Sequence, residues 1–348
     1  EDVDYVKDAA TQFARKAAFR EAILQIKDLY DNGLEPEDGM QILQNAASVG
    51  AGEHLGMDLT ECIDKMPDIL NEIYDRKNLF QTMIPSLDDA LMGGMAKGEL
   101  HVVVGAPGKG KSKLMSYMAY AGLLQNRHVV YISCELKEPA VMSNIVQCAT
   151  GFTMMDIMDP AKREIYLAKA EKIKRLAPHL KAIYYPNKTV NINNIRTYLT
   201  KLQTIEEFRP GLIIVDYADL LNPVAKPLGN NYEDCGNIFY DLVTLADLYE
   251  CPVVTGSQLG RHVWNQVGDE VITQDTLADS AKKAHVAYSI ISLNQNMEET
   301  HKGLMRLFTA KVRRGKTLET IYCKFDKNIN LVKEIPPYDP KNLAEVNV

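Results

Sequence analysis

Several features that would place a protein outside a reducing, aqueous compartment are absent from this sequence. Its 348 residues include six cysteines, but these form no Cys-x-x-Cys pair and stand near no histidine cluster, which favours reduced thiols and argues against structural zinc. No apolar run is long enough to span a bilayer, and the chain begins with Glu1-Asp2 instead of a basic, apolar targeting segment. These absences predict a cytoplasmic protein without a membrane partner.

Acidic residues outnumber basic ones, but the excess is confined to the N-terminal part. The formal net charge is −7, and 46% of the residues are apolar, which is enough for a large packed core in two or three domains. Residues 1–80 carry 17 acidic and 8 basic side chains, whereas residues 81–348 have a positive excess of 2. The larger C-terminal part can therefore carry the local basic patches that a DNA site needs.

The N-terminal part of the sequence favours helices. Apolar residues recur at spacings of three and four over residues 3–30, which is typical of an amphipathic helix, and Asn32-Gly33 ends it. A shorter helix is predicted over residues 36–47, because proline is accepted in the first helical turn.

A third helix is predicted over residues 59–75. Asp58 and Glu61 resemble a capping box, an apolar stripe runs along the helix, and Pro67 is expected to kink it. Two interpretations of the stripe stay open. The helix is either an extra layer packed on its own core or a linker docked on a neighbouring subunit.

Beyond residue 82, short apolar runs alternate with helical stretches, which predicts an α/β fold with a mostly parallel sheet flanked by helices. The six predicted strands are residues 100–104, 128–133, 182–186, 211–215, 252–257 and 287–293. The C-terminal region differs, because residues 305–312 and 318–325 are joined by the basic turn Arg313–Lys316 and predict a β-hairpin. The tail from Pro336 onward is expected to be extended.

The segment Gly105–Ser112 matches the P-loop pattern GxxxxGK[ST] at every fixed position and directly follows an apolar strand. In such a loop, backbone N–H groups turn toward a polyphosphate, Lys111 reaches the β- and γ-phosphates, and Ser112 ligates Mg²⁺. The sequence therefore predicts that the chain binds ATP, or another nucleoside triphosphate, together with Mg²⁺. The predicted nucleotide-binding residues are Gly105, Pro107, Gly108, Lys109, Gly110, Lys111, Ser112 and Lys113.

Two carboxylates and one amide complete the predicted chemistry of hydrolysis. Asp216 ends an apolar strand in the manner of a Walker B motif, so Ser112 and Asp216 are expected to hold the metal, the aspartate through a water. Glu135 follows the strand after the P-loop helix and is the candidate base for the attacking water; a solvated loop glutamate is the competing interpretation. Gln258 ends another strand, where an amide can sense the γ-phosphate.

The predicted hairpin places Lys311 and Arg313 on one face, because side chains along a strand alternate with period two. Both can point at a phosphate, and their distance along the chain from the P-loop suits an arginine finger that serves a neighbouring subunit. A solvated basic turn is the open alternative.

In this order, the elements resemble those of the RecA-like ATPases and, more narrowly, the hexameric replicative DNA helicases of the DnaB family. The stretch Ile84–Glu99 is shared with KaiC-like proteins and so indicates only the superfamily. The narrower resemblance covers roughly residues 55–335. Four motifs carry it: Ser133–Leu136 for S-L-E-M, Ile214–Tyr217 for I-D-Y, Ser257–Arg261 for S-Q-L-x-R, and Ala310–Gly315 for A-K-x-R-x-G.

The resemblance implies an ATP-dependent helicase that forms a homo-hexameric ring, hydrolyses ATP between subunits, moves 5′ to 3′ on single-stranded DNA and unwinds forked DNA at the replication fork. Arg313 would supply the arginine finger, with Lys311 as its companion. Primase and a helicase loader are the implied partners. The family's DNA-contacting loop maps onto Asp279, Ser280, Ala281, Lys282 and Lys283.

Two departures from bacterial members favour a phage-encoded protein working in the host cytoplasm. Asp219 stands where bacterial members have glutamine, and Leu277–Lys283 replaces the loop L-R-E-S-G. The contacts of this loop with DNA therefore do not follow from the resemblance alone.

The predicted layout is a helical segment over 1–55, a linker helix over 56–80, a RecA-like ATPase domain over 81–335 and a tail over 336–348. The N-terminal helices are too short for the family's complete N-terminal domain, and the chain starts at Glu1, so we expect an incomplete chain.

Two other classes of function are alternatives to the helicase. The main alternative is a RecA-like or KaiC-like ATPase that acts in recombination or remodelling. KaiC-like proteins, however, favour two adjacent acidic residues at the position where this chain has only Glu135. A metabolic P-loop kinase would need a lid, for which residues 221–234 are the candidate, and would leave the basic hairpin unexplained.

Overall fold

The structure, a computed structural model, describes residues 2–31, 39, 42–43, 46, 58–224, 231–258, 270–273 and 285–343. The chain divides into two compact units, Glu1–Asp68 and Ile69–Val348. Among the described residues, none of the helices is long and apolar enough to cross a membrane.

Helix α1, Asp2–Tyr30, is the long element of the first unit and confirms the helix predicted over residues 3–30. Several of its large apolar side chains are exposed, with Phe13 and Ile23 at 76% and 59%. Most of the helix predicted over residues 36–47 falls outside the described residues.

Helix α2, Leu59–Tyr74, confirms the third predicted helix and contains Pro67. Asp58 caps it, because its Oδ1 accepts the backbone N–H of Thr60 at 2.7 Å. The side chain of Glu61, the other half of the predicted capping box, lies outside the described part of the chain. The apolar stripe is exposed to solvent at Leu59, Ile63, Met66, Leu70 and Ile73.

In the second unit, nine strands form one sheet in the order β3-β2-β4-β5-β1-β6-β7-β8-β9. The first six in this order are parallel, and β7, β8 and β9 are added antiparallel at one side. The predicted mostly parallel sheet is thus confirmed. The strands are β1 Leu100–Gly105, β2 Val129–Ser133, β3 Leu180–Tyr184, β4 Leu212–Asp216, β5 Val253–Gln258, β6 Ser289–Asn294, β7 Leu304–Val312, β8 Thr320–Asp326 and β9 Leu331–Glu334.

Helices cover both faces of the sheet, which is why its central strands are apolar on both sides. Neighbouring side chains of β1 show this: Val102 packs with Leu199 and Phe239 on one face, and Val103 packs with Leu114 and Tyr131 on the other. Within its described residues, this unit has the helices α3 Pro85–Ala90, α4 Lys111–Leu124, α5 Glu138–Thr150, α6 Met154–Met158, α7 Arg163–Lys174, α8 Ile192–Ile205, α9 Asn231–Tyr249 and α10 Met297–Lys302.

Three details of the sequence-based prediction need correction. Strand β3 begins at Leu180, two residues before the prediction, because Leu180 and Lys181 continue the parallel ladder with β2. Strand β8 begins at Thr320, so the link from β7 is longer than the basic turn. Strand β9 was not predicted, because it is a four-residue edge strand with only Val332 buried.

Candidate active site

The P-loop connects the end of β1 to the start of α4. Its backbone needs glycine at two positions, since φ is +72° at Gly108 and +102° at Gly110, values that side-chain-bearing residues rarely adopt. At Gly110 space is also short, because an added Cβ would lie 2.5 Å from the ring of Phe325 in β8, whereas at Gly108 it would meet nothing within 4 Å. The loop is therefore held against the C-terminal hairpin.

Lys111, the first residue of α4, lies back along the P-loop. Its Nζ donates to the backbone oxygens of Gly105 at 2.8 Å and Ala106 at 3.2 Å, and the residue is only 8% exposed. Burial lowers the pKa of this ammonium, while the charges of Glu135 and Asp216 act in the opposite direction. The P-loop thus holds the ammonium charge of Lys111 close to the carboxylates of Glu135 and Asp216.

The two predicted metal ligands lie side by side. The hydroxyl of Ser112 donates to Oδ1 of Asp216 at 3.1 Å, and the hydroxyl of Tyr131 donates to its Oδ2 at 2.8 Å. Asp216 is fully buried, and this burial raises its pKa to about 6 even though both hydrogen bonds lower it. A hydroxyl and a carboxylate are hard oxygen donors of the kind Mg²⁺ prefers beside phosphate and water, so the pair fits a magnesium site.

Glu135 stands beside this pair because of the register between β2 and β4. Ser133 pairs with Asp216, and the N–H of Cys134 donates to the backbone oxygen of Asp216 at 2.7 Å. The hydroxyl of Ser133 accepts the N–H of Leu136 at 2.9 Å and shapes the turn that follows. Glu135 is exposed and lines the cleft.

Gln258, at the end of β5, is connected to the Walker B segment. Its side-chain nitrogen donates to the hydroxyl of Tyr217 at 2.6 Å, and its backbone N–H donates to Oδ2 of Asp219 at 2.9 Å. Ser257 donates to the same oxygen at 3.0 Å. Asp219, which the sequence showed only as a departure from the family pattern, therefore ties β4 to β5.

Lys111, Ser112, Glu135 and Gln258 line one cleft of about 480 Å³ at the carboxyl ends of the parallel strands. The sequence did not single out several of its wall residues, because they come from α5, α6 and the turn between β8 and β9, which carry no phosphate-binding pattern. The cleft is lined by Pro107, Gly108, Gly110, Lys111, Ser112, Lys113, Glu135, Leu136, Ala140, Ser143, Asn144, Gln147, Met154, Tyr217, Gln258 and Lys327.

Lys311 and Arg313 lie together but away from this cleft. Lys311 Nζ donates to the backbone oxygens of Ala287 at 2.7 Å and His285 at 3.1 Å. Arg313 donates to the backbone oxygens of His285 at 3.0 Å and Val286 at 3.1 Å. Burial lowers the pKa of Lys311 to about 8, and the charge of Arg313 contributes.

The sheet register fixes where this pair lies. Val312 at the end of β7 pairs with Ser289 at the start of β6, and Ser289 pairs with His101 near the start of β1. Arg313 thus lies at the side of the sheet where β1 begins, whereas the P-loop follows Gly105 at the opposite side, where β1 ends. The strand between His101 and Gly105 spans about 13 Å at ~3.3 Å per residue. The pair is therefore remote from the cleft of its own chain.

The predicted DNA-contacting residues Asp279, Ser280, Ala281, Lys282 and Lys283 lie outside the described residues, and so does Arg261.

Comparison with known proteins places this geometry in a family. The model of the DnaB-like helicase C terminal domain matches residues 80–334. A probable replicative DNA helicase of Trieres chinensis is 22% identical in an alignment of 343 positions that covers 93% of this chain and 73% of that protein. The DnaB-like replicative helicase of Enterobacteria phage T4 is 26% identical in an alignment of 261 positions that covers 73% of this chain and 53% of that protein. The replicative DNA helicase DnaB of Geobacillus stearothermophilus is 22% identical over 92% of this chain and 75% of its own length.

Solved structures agree on the fold. One of them, an isolated ATPase domain, superposes with a TM-score of 0.66 at 19% identity, covering 80% of this chain and all of that domain. A DnaB-like replicative helicase, described together with its interactions with primase, superposes with a TM-score of 0.65 at 17% identity, covering 94% of this chain and 77% of that chain. The RecA-like α/β fold is thus confirmed, and because the family model matches most of its length, this chain belongs to the DnaB-like helicase C-terminal domain family.

Proposed function

We propose that this chain is the motor of an ATP-dependent replicative DNA helicase that assembles as a homo-hexameric ring, translocates on single-stranded DNA and unwinds the duplex at the replication fork. One observation supports assembly as a ring. The P-loop cleft and the pair Lys311 and Arg313 lie at opposite edges of the same sheet. If this pair serves a triphosphate, that triphosphate is bound by a neighbouring subunit, so the active site is completed between subunits.

Within one subunit, each group at the cleft has a role that its contacts support. Lys111 exchanges its backbone contacts for the β- and γ-phosphates. Ser112 and Asp216 would hold Mg²⁺, which would supply positive charge against the phosphates when bound. Glu135 orients the attacking water and takes its proton. Gln258 reports the state of the γ-phosphate to β4 through Tyr217.

We extend the ring proposal to α2. The helix exposes an apolar stripe, and the second unit has an apolar groove of about 410 Å³ between α4, α5 and α7, whose rim includes Lys174. The apolar stripe of α2 and the apolar lining of this groove favour the α2 helix of a neighbouring copy as its occupant.

DNA contacts belong to the loop over residues 276–283, by resemblance to the family. Such contacts hold the phosphate backbone, so binding is expected to be salt-sensitive and indifferent to sequence. Primase and a helicase loader are the protein partners we propose, and the 5′ to 3′ direction is likewise proposed from the family.

A strand-displacement assay on forked DNA tests this function. With ATP and Mg²⁺, the helicase proposal predicts release of one strand from the fork, and forks with only one single-stranded arm reveal the polarity. Filament formation with pairing of homologous strands, without displacement on forks, would support the RecA-like or KaiC-like alternative.

A further inference from the structure

Three lysines lie close together at one side of the nucleotide cleft, and two of them, Lys113 and Lys327, line it. Lys109 Nζ in the P-loop donates to the backbone oxygen of Gln295 at 3.0 Å, and Lys327 Nζ, in the turn between β8 and β9, donates to Oε1 of the same glutamine at 3.1 Å. Lys113 Nζ donates to the backbone oxygen of Lys327. All three side chains are half-buried, so their charges are only partly screened by water.

The surroundings of these lysines are suited to a negatively charged ligand. The hydrogen bonds just described go to neutral oxygens, while Asp326 is the carboxylate whose charge acts on Lys113. Burial lowers the pKa of Lys327, and the charges of Lys109 and Lys113 lower it further. An anion in the cleft would relieve this repulsion, because it interacts favourably with all three ammonium groups.

The position of the cluster indicates which part of a nucleotide it meets. In the sheet order, Asp216 ends β4 on one side of β1, whereas Lys327 follows β8 on the other side. Phe325 keeps the end of β8 against the P-loop at Gly110. The γ-phosphate belongs with Asp216 and the exposed Glu135, so the α-phosphate and the ribose extend toward the side of Lys327.

We propose that Lys327 binds the α-phosphate end of the nucleotide, with Lys109 and Lys113 beside it, so that the turn between β8 and β9 is part of the nucleotide site of its own subunit. This inference rests on the proposed nucleoside triphosphatase. The ammonium of Lys327 exchanges its contact with Gln295 for a phosphate oxygen. Because the α-phosphate is common to ATP and ADP, Lys327 holds the nucleotide before and after hydrolysis.

Equilibrium binding of ADP and of a non-hydrolysable ATP analogue to the full chain tests this assignment. The test variant is Lys327→Gln, and Lys327→Arg is the charge-conserving variant. Lys333→Gln is the matched control, because it removes the same charge from an exposed position of β9 in the same hairpin. Titrations with Mg²⁺ and with a chelator separate the lysine's effect from that of the metal, and the thermal unfolding midpoint of each variant checks folding.

We expect Lys327→Gln to weaken the binding of ADP and of the ATP analogue by the same factor. This factor is on the order of tenfold, as for the loss of one partly exposed charge-assisted contact. Lys327→Arg should retain most of the affinity, and Lys333→Gln should bind like the wild type. The assignment is overturned if ADP affinity is unchanged, if only the ATP analogue is weakened, or if Lys327→Gln alters ring assembly alone. A wild-type chain that binds neither nucleotide would instead refute the proposed function.

Discussion

At the scale of single residues, Glu135 provides the sharpest test of the hydrolysis chemistry. The change Glu135→Gln keeps the shape of the side chain but removes its ability to take a proton. We expect ATP binding and ring assembly to be retained while turnover falls by about two orders of magnitude or more. Steady-state ATPase rates and nucleotide titrations measure the two effects separately. A variant that turns over ATP at the wild-type rate would mean that the base is another residue.

Gly110 and Gly108 form a matched pair for testing the fit of the P-loop. Both have positive φ, so alanine at either position costs about 1–2 kcal/mol of backbone strain. Only at Gly110 would the new Cβ also meet the ring of Phe325. We therefore expect Gly110→Ala to lower the thermal unfolding midpoint more than Gly108→Ala, and Gly110→Ala to lower it less in a Phe325→Leu chain than in the wild type. Equal midpoints for the two single variants would contradict the contact.

At the scale of secondary-structure elements, the exposed stripe of α2 should matter for assembly and not for folding. Ile63→Gln combined with Leu70→Gln removes two apolar contacts, each contributing about 1.5–3 kcal/mol when fully buried in a neighbour's groove. We expect a weaker hexamer, which in sedimentation experiments dissociates at protein concentrations where the wild-type hexamer stays intact. Its circular dichroism spectrum should be unchanged. Asn71→Gln, also on α2, is the control. An undisturbed ring in the double variant would contradict docking of this stripe on a neighbouring subunit.

The elements also show how far sequence reasoning reaches. The ends of the central strands were predicted to within about two residues, because parallel strands that are buried on both faces appear in the sequence as apolar runs. The edge strand Leu331–Glu334 was missed, since its short, half-polar pattern resembles a loop. The motifs gave Lys111 and Asp216, but the hydrogen bond from Tyr131 depends on the register of two strands, and no local pattern encodes it.

At the scale of the whole molecule, the separation of the P-loop from Lys311 and Arg313 supports the proposed site between subunits. Local motifs predicted both groups but not that they occupy opposite edges of one sheet. That arrangement follows from the antiparallel addition of β7 to a parallel sheet. A ring built from such subunits couples each hydrolysis event to the relation between two subunits, which can turn ATP hydrolysis into movement along DNA.

Mixing two inactive variants tests this central claim most directly. Subunits with Arg313→Ala keep a working P-loop but provide no finger, whereas subunits with Lys111→Ala provide the finger but have lost the P-loop charge. If sites form between subunits, a one-to-one mixture should have roughly a quarter of its interfaces competent, and these restore part of the ATPase rate because a finger is worth about 10³–10⁵ in turnover. A mixture as inactive as its components, with ring assembly and subunit exchange confirmed, would contradict a site completed by the neighbouring subunit.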